Sequence, residues 1–226
     1  MTSDIAAAAS SVDARSRLSL GKSHERIHRT VAAVLASRGA HGIVADVGCG
    51  TGDLWRFLQG PFTSCIGLDA VRYQGLPADI DFRPADLDGG PLPLAEASVD
   101  AAVAVEVIEH LENPRAFVRQ LARCVRPFGH VVVTTPNQLS VLSLLALLVT
   151  DHFAAFQDSE YPAHRTALLE TDLRRIFAEC DLEHVTVAFT GYGRMPLTAL
   201  HYPAAIARLS PRRLSDHIVI AGRRGA

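Results

Sequence analysis

A carboxylate followed by three alternating glycines is the feature of this 226-residue chain with the clearest chemistry. An apolar run from Ile43 ends at Asp46, and Gly48, Gly50 and Gly52 follow. Glycine lets the backbone approach a ligand closely and adopt positive φ, so the pattern predicts a buried strand that leads into a turn beneath a nucleotide-like ligand. The Gly-x-Gly-x-Gly spacing differs from that of dinucleotide sites, which argues against a nicotinamide-dependent oxidoreductase. A glycine-rich turn without any ligand is the alternative.

Carboxylates also follow three later apolar runs, at Asp69, Asp86 and Glu106. In open parallel sheets ligands bind outside the carboxyl ends of the strands, so we expect these acids to converge with Asp46. Asp69 is placed to accept hydrogen bonds from a ribose diol. Each acid alone could instead cap a helix or form a turn. Acids at four successive strand ends favour a binding site.

Glu109 and His110 come soon after the fourth of these runs and form the candidate catalytic pair. An imidazole with a pKa near neutrality is the natural base for removing a proton from an acceptor hydroxyl. The alternative is that His110 packs in, or caps, the loop that precedes a helix at Pro114.

Predicted helices and strands alternate along the chain, which means right-handed βαβ crossovers. We therefore expect an α/β fold with a Rossmann-like doubly wound sheet, mostly parallel with an antiparallel last strand, and with helices on both faces. The helices are predicted over residues 24–37, 52–58, 114–125, 139–149 and 171–180. The strands are predicted over residues 43–46, 64–68, 80–83, 98–105, 130–135, 182–189 and 217–221.

Composition favours one globular domain with a sizeable core, since 48% of residues are hydrophobic and 20% are charged. The net charge of −2 gives no sign of a nucleic-acid partner. Four cysteines without a C-x-x-C pair predict free buried thiols and a cytoplasmic location. Residues 1–21 are predicted to be a flexible tail without a targeting segment, and residues 22–226 to be the domain.

Five ordered motifs resemble those of class I S-adenosylmethionine-dependent methyltransferases, in particular the small-molecule branch (methyltransferase type 11, quinone-biosynthesis-like). The motifs are VADVGCGTG at 44–52, GLD at 67–69, ADL at 85–87, EVIEHL at 106–111 and PFGHVVVTTPN at 127–137. Together they extend the resemblance from about residue 22 to the C-terminus. One departure is Phe128, which stands where a glycine is usual in the turn before the fifth strand.

The resemblance implies a site for S-adenosylmethionine and a role for each strand end. Gly48 and Gly50 would pack under the methionine and ribose, and Asp46 would help hold the methionine end. Asp69 would bind the ribose hydroxyls, and Asp86 the adenine amino group. The backbone near Glu106 would meet the methionine ammonium, and Cys49, Gly52 and Leu87 complete the expected cofactor-binding set. The implied reaction is methyl transfer to a small-molecule acceptor, at an oxygen of a lipid-like, aromatic or sugar-containing metabolite.

Small-RNA 3′-terminal 2′-O-methyltransferases resemble the chain in the same Glu106-x-x-Glu109-His110 string. In those enzymes a later histidine, for which His164 is the candidate here, completes a divalent-metal site. The string also occurs throughout the small-molecule branch, and the Phe-Glu-Trp-Thr-Arg stretch of the RNA enzymes is missing. We therefore expect neither a metal nor a nucleic-acid substrate. A non-catalytic protein that binds S-adenosylmethionine is a third possibility.

Residues 137–170 form a segment inserted after the fifth strand, and we expect it to cover the acceptor. Its apolar run at 139–149 is too short to cross a bilayer, which takes about 20 residues, although peripheral membrane contact is compatible with it. The run is predicted to be a lid or wall; the alternative is a helix buried against the sheet edge or in a dimer interface. Residues 191–196 are expected to belong to the same cover. The predicted acceptor-binding residues are Asn137, Tyr161, His164 and Arg165.

Overall fold

The structure is a computed structural model that describes residues 23–226, so the predicted tail at 1–21 lies outside the described residues. Strands and helices alternate as the sequence predicts. The helices are α1 (Glu25–Ser37), α2 (Trp55–Leu58), α3 (Pro114–Cys124), α4 (Val141–Thr150), α5 (Glu170–Glu179) and α6 (Ala204–Ala207). The strands are β1 (Gly42–Val47), β2 (Phe62–Asp69), β3 (Ile80–Pro84), β4 (Val99–Val105), β5 (Val125–Pro136), β6 (Leu182–Phe189) and β7 (His217–Arg224).

The strands form one sheet in the order β3-β2-β1-β4-β5-β7-β6. The first five are parallel neighbours, whereas β7 pairs antiparallel with both β5 and β6. This arrangement confirms the doubly wound sheet and its antiparallel last strand. The order of strands reverses between β1 and β4, so a crevice opens at their carboxyl ends, where ligands bind in such folds.

Alternate residues of the central strands point into two separate cores, because successive side chains of a strand face opposite sides of the sheet. Helices α3 and α5 cover one face, and α1 and α2 cover the other. The first core includes Ala45, Ala102, Val131, Leu121 and Phe177; the second includes Val44, Val103, Val132, Val31 and Trp55. Burial on both faces explains why the strands are almost continuously apolar.

Two element boundaries differ from the sequence prediction for reasons of backbone geometry. Helix α2 begins at Trp55 rather than at residue 52, because Gly52 has a φ of +75°, which is incompatible with a right-handed helix. Strand β5 begins at Val125, directly after α3, and continues through the turn that was expected to precede it. Within that turn Phe128 has a φ of +66°, so it adopts the left-handed conformation that a glycine would take more easily.

All four cysteines are buried and free, as predicted. Helix α4, the apolar run of the inserted segment, has ten residues, and of these only Ser143 is buried. The described residues therefore do not bury this helix against the sheet edge, and the alternative of a dimer interface stays a prediction. Within residues 23–226 the structure has no helix long and apolar enough to cross a membrane.

Candidate functional site

A cavity of about 700 Å³ opens at the carboxyl ends of the parallel strands, where the sequence places the acids. Its walls come from the loops after β1 to β5, from residues 154–164 and from residues 192–201. Most of the predicted site residues line it: Asp46, Gly48, Cys49, Asp69, Asp86, Leu87, Glu106, Glu109, His110, Asn137, Tyr161 and His164. Gly50, Gly52 and Arg165 do not.

The glycine turn is fixed to the end of β2 by its backbone amides. The Gly48 amide donates to the Leu68 carbonyl at 2.7 Å, and the Gly50 amide donates to Oδ2 of Asp69 at 2.9 Å. A Cβ atom on Gly48 would lie 2.3 Å from Cγ2 of Val107, and one on Gly52 would lie 2.7 Å from Cδ1 of Ile80. Because Gly48 has no side chain, the turn can pack closely against Val107 at the floor of the cavity. Gly50 and Gly52 shape the turn but do not line the cavity.

Asp46 and Asp69 present two buried carboxyls to the cavity. Burial raises the pKa of Asp46 to about 7, and the negative charge of Asp69 adds to the rise. Burial also raises the pKa of Asp69, while hydrogen bonds from backbone amides, first that of Gly50, oppose the shift. A cationic or hydroxyl-bearing ligand would stabilise the anionic form of buried carboxyls with raised pKa values. They fit the ammonium and ribose groups of S-adenosylmethionine.

Asp86 and Leu87 line the same cavity on the β3 side. One carboxylate oxygen of Asp86 accepts the amide of Asp88 at 3.0 Å, which fixes the side chain in its loop. Its second oxygen, Oδ2, lies 2.3 Å from where a Cβ on Gly89 would stand, so the glycine gives that oxygen room.

Glu106 directly follows β4 and has an unusual backbone conformation, with a φ of +55°. Its amide donates to the Thr134 hydroxyl at 3.0 Å, and its carboxylate lies 3.4 Å from Nε2 of His217. Glu109 follows in the 3-10 turn Ile108–His110 and is completely buried. Neither carboxylate oxygen of Glu109 has a hydrogen-bond partner within residues 23–226. Burial raises the pKa of Glu109 well above its ordinary value, and the Glu106 charge adds to this.

His110 and His164 lie side by side in the cavity wall, with ring centroids 4.8 Å apart. Nδ1 of His110 is 2.9 Å from the Ala163 carbonyl oxygen, and Nδ1 of His164 bonds to the Ala155 carbonyl oxygen. A carbonyl oxygen can only accept, so each Nδ1 carries a proton, and in a neutral ring Nε2 then keeps the lone pair. Burial lowers the pKa of His110, which favours its neutral form.

Glu109, His110 and His164 together form a compact donor cluster. One ligand atom from each lies within 4.8 Å of the others. Carboxylate and imidazole ligands suit a divalent cation, and metal-bound histidines usually donate their second ring nitrogen to a carbonyl or carboxylate, as both do here. The cluster could therefore serve as a base or hold a metal.

The other predicted acceptor-binding residues have different surroundings. The Asn137 side-chain nitrogen donates to the carbonyls of Arg212 at 2.7 Å and Ser215 at 2.8 Å. This side chain therefore fixes the loop that precedes β7. Tyr161 is largely exposed at the rim. Arg165 forms an ion pair with Glu112 and does not line the cavity.

The opposite wall contains residues that the sequence did not single out. The Tyr192 ring stacks between His24, at 4.7 Å, and His201, at 3.8 Å between centroids. This stack joins the start of α1 to the loop after β6, and His28, Arg194, Asp216 and His217 line the cavity beside it. The sequence pointed to this wall only through the prediction that residues 191–196, which include Tyr192 and Arg194, belong to the cover. The histidines come from distant parts of the chain and form no motif.

Comparison with known proteins identifies the family. A family model described as a methyltransferase domain matches residues 20–187. A protein named "Probable S-adenosylmethionine-dependent methyltransferase" from Mycolicibacterium smegmatis is 30% identical over 199 residues, 84% of this chain and 72% of that protein. A ubiquinone biosynthesis O-methyltransferase from Rickettsia typhi is 23% identical over 146 residues, 62% of this chain and 59% of that protein.

The same fold occurs in a solved structure of a SAM dependent methyltransferase from Archaeoglobus fulgidus. The TM-score is 0.62 at 16% sequence identity, with 87% of this chain and 94% of that chain covered. The fold, the strand-end acids and the matched family model agree. The chain belongs to the methyltransferase-domain family of S-adenosylmethionine-dependent enzymes, with S-adenosylmethionine as its methyl donor.

Proposed function

We propose that the enzyme methylates a hydroxyl oxygen of a small-molecule acceptor, and that His110 is the general base. The observation that carries the proposal is the hydrogen bond from Nδ1 of His110 to the Ala163 carbonyl, 2.9 Å away. In the neutral ring, which burial favours, this bond puts the proton on Nδ1 and the lone pair on Nε2, and the residue lines the cavity. A base of this kind contributes typically about 10²- to 10⁴-fold to a rate.

Asp46, Asp69 and the glycine turn would hold S-adenosylmethionine, which would supply an electrophilic methyl group on a sulfonium. In this proposal Asp69 accepts hydrogen bonds from the ribose hydroxyls, and Asp46 lies toward the methionine end. Nε2 of His110 would accept the proton of the acceptor hydroxyl; the hydroxyl oxygen would take the methyl group, and the sulfonium would leave as a neutral thioether. Holding two reactants in line contributes about 7–11 kcal/mol in favourable cases.

The walls of the cavity support an acceptor that is partly apolar. Leu142, Ala154 and Ala155 from the inserted segment face the same space as the polar residues His164 and Tyr161. The ubiquinone biosynthesis O-methyltransferases from Rickettsia typhi and Dictyostelium discoideum are similar to this chain at 23% and 30% identity. An oxygen of a lipid-like, aromatic or sugar-containing metabolite is the acceptor that these features favour.

The test is transfer of a labelled methyl group from S-adenosylmethionine into a host extract that is then separated into lipid, small-polar and RNA fractions. We expect label in the lipid or small-polar fraction, and we expect it to survive a chelator. The His110→Asn variant should incorporate far less label while binding S-adenosylmethionine normally. No label in any fraction, despite binding of S-adenosylmethionine, would favour a non-catalytic binding protein.

A second candidate function is metal-dependent methylation, with an RNA 2′-hydroxyl as the alternative acceptor. The observation in its favour is the donor cluster of Glu109, His110 and His164, in which the buried Glu109 carboxyl lacks a hydrogen-bond partner in the described part of the chain. A divalent cation held there would lower the pKa of a bound hydroxyl. The net charge of −2 gives no support for RNA.

Calorimetric titration of the purified protein with Mn²⁺ distinguishes the two mechanisms. Binding that disappears in Glu109→Gln, together with chelator-sensitive label in the RNA fraction, would favour the metal-dependent function. Glu112→Gln is the matched control, because Glu112 is an exposed carboxylate outside the cluster.

A further inference from the structure

Three basic side chains meet at the edge of the sheet that lies opposite the cavity. Arg38 directly follows α1, His130 lies in β5 and Arg223 lies in β7. His130 and Arg223 are paired residues of neighbouring strands, so their side chains are on the same face of the sheet. His130 is six residues before Pro136, which lines the cavity, a distance of about 20 Å along an extended strand. We call Arg38, His130 and Arg223 the basic cluster.

The electrostatic neighbours of the basic cluster are its own members. Burial lowers the pKa of Arg38, and the positive charge of Arg223 lowers it further. Burial also lowers the pKa of His130, and the charges of Arg38 and Arg223 add to this shift. No carboxylate opposes either shift. Like charges are therefore held together in the described part of the chain without an acid that neutralises them.

Glu183 is the acid that strand pairing places next to the basic cluster, because it is the partner of Arg223 in β6. Its Oε1 lies 3.7 Å from where a Cβ on Gly225 would stand, which is beyond Arg223 along β7. Arg224 has its own partner, since it forms an ion pair with Glu96 at 3.2 Å. Within residues 23–226 no such ion pair joins Glu183 to Arg223, so the cluster keeps a net positive charge.

The guanidinium of Arg38 is fixed through one of its nitrogens. Nη2 donates to the His184 carbonyl at 2.7 Å, the Thr186 hydroxyl at 2.7 Å and the Ala221 carbonyl at 3.1 Å. These bonds attach Arg38 to β6 and β7 and use neither Nε nor Nη1. The remaining nitrogens are donors in a position that is already set, which suits recognition of an oxyanion.

Two nitrogens of the basic cluster are buried and lack a hydrogen-bond partner within residues 23–226. They are Nδ1 of His130 and Nε of Arg223. Buried polar atoms without a partner are few in folded proteins, because each has given up its hydrogen bond to water. An anion against the guanidinium groups would offset this cost through its charge.

Phe128 lies beside the basic cluster in a conformation that a glycine would take more easily. Its φ is +66°, its side chain is 58% exposed, and its ring centroid is 5.4 Å from Cζ of Arg223. Left-handed backbone at a non-glycine residue is strained and often marks a functional position. What the ring supplies here is a cation–π contact that positions the Arg223 guanidinium.

We propose that the basic cluster, with Phe128 beside it, binds an oxyanion, of which inorganic phosphate is the simplest form. Two guanidinium groups and an imidazole supply the charge and the planar, paired donors that a phosphate group needs. The site is separate from the cavity and does not depend on the identity of the methyl acceptor.

The experiment is calorimetric titration of the purified chain with inorganic phosphate at saturating S-adenosylmethionine, so that the cofactor part of the cavity is filled. We expect saturable binding. Thermal denaturation is the second readout, because a ligand of the folded state raises Tm as its concentration rises. The increase should exceed that caused by sodium chloride at the same ionic strength. In a second series phenyl phosphate replaces phosphate; tighter binding would identify a phosphate ester as the ligand, and equal binding free phosphate.

Four variants locate the site. Arg223→Gln should bind phosphate at least about tenfold more weakly, because charge-assisted hydrogen bonds are lost. Glu183→Gln should bind about twofold more tightly, since a neighbouring negative charge is removed. Phe128→Gly should bind about threefold more weakly without a lower Tm in the absence of phosphate, because glycine adopts positive φ easily. Arg115→Gln is the matched control, with the same change of net charge at an exposed arginine of α3, and should bind like the wild type.

The absence of saturable phosphate binding, or equal Tm increases with phosphate and with sodium chloride, would overturn the proposal. So would phosphate binding that is unchanged in Arg223→Gln, since the anion would then lie elsewhere on the chain. Unchanged affinity for S-adenosylmethionine shows that each variant is folded, so a loss of phosphate binding is not a loss of the fold.

Discussion

His110 and His164 meet with their ring centroids 4.8 Å apart and their planes inclined by 52°, although one follows β4 and the other belongs to the segment inserted after β5. The contact joins the turn after β4 to the inserted segment in the wall of the cavity. Nδ1 of each ring bonds to a backbone carbonyl of the inserted segment, that of Ala163 for His110 and that of Ala155 for His164. In the proposed mechanism the roles differ, because His110 is the base and His164 supports it.

Replacing each histidine in turn should separate these roles. We expect His110→Asn to lower kcat about 10²- to 10⁴-fold, because the acceptor loses its base. His164→Asn should lower kcat by less than about tenfold, since His164 only supports His110 in the proposed mechanism. Steady-state kinetics with an identified acceptor measures both, with the exposed His41→Asn as control. Equal loss in the two cavity variants would indicate a shared metal instead.

Asp69 should determine affinity for S-adenosylmethionine. A charge-assisted hydrogen bond contributes about 1.5–3 kcal/mol, so Asp69→Ala should weaken binding roughly tenfold or more. The variant also removes the acceptor of the Gly50 amide. Asp69→Asn keeps an oxygen for that amide and separates the two effects. Calorimetric titration gives the dissociation constants, and a change within about twofold for Asp69→Ala would refute the ribose assignment.

The site elements that could be predicted from the sequence are those encoded by local pattern. Asp46 and Asp69 were predictable because each lies in the last two residues of a buried strand, and the parallel sheet brings strand ends together. Helix α4 was recognised as apolar, but its outward-facing side was not, since periodicity alone cannot say which neighbour a helix has.

Residues that meet only through tertiary structure were missed. Tyr192 belongs to the predicted cover at 191–196, but its stacking with His24, at the start of α1, and with His201 has no spacing in the sequence that marks it. Arg165 shows the opposite error. Its type suited an anionic acceptor, but Glu112 lies close enough to engage the guanidinium outside the cavity.

Asp46 should make the stability of the cofactor-free protein depend on pH. Its pKa is raised to about 7 in the folded state, against about 3.9 in an unfolded chain. Between these values the folded state binds a proton that the unfolded state has lost, so stability falls as pH rises from about 4 to 7. Asp46→Asn has no carboxyl to titrate, so this loss of stability between pH 4 and 7 should be absent from the variant.

We therefore expect cofactor-free Asp46→Asn to have a higher Tm than the wild type at pH 7 and above, and the difference to shrink toward pH 4. Thermal denaturation across this range measures it, and Asp81→Asn, a change at an exposed carboxylate, is the control. A Tm difference that is the same at every pH would contradict the raised pKa. Affinity for S-adenosylmethionine should fall in Asp46→Asn, because the methionine end loses its anion.

A side chain at Gly48 should lower the free energy of unfolding for two reasons, backbone strain and a steric clash, and the two can be measured separately. Its φ is +80°, and a Cβ would lie 2.3 Å from Cγ2 of Val107. Gly60 has a φ of +103° with no heavy atom within 4 Å of its Cβ position, so Gly60→Ala measures backbone strain alone, about 1–3 kcal/mol. Urea denaturation should show a larger loss for Gly48→Ala, and adding Val107→Ala should recover part of the excess, because the two sites are in contact and their effects are not additive. Equal losses at Gly48 and Gly60 would mean that Val107 yields freely, and the cavity floor would then owe its shape to backbone conformation alone.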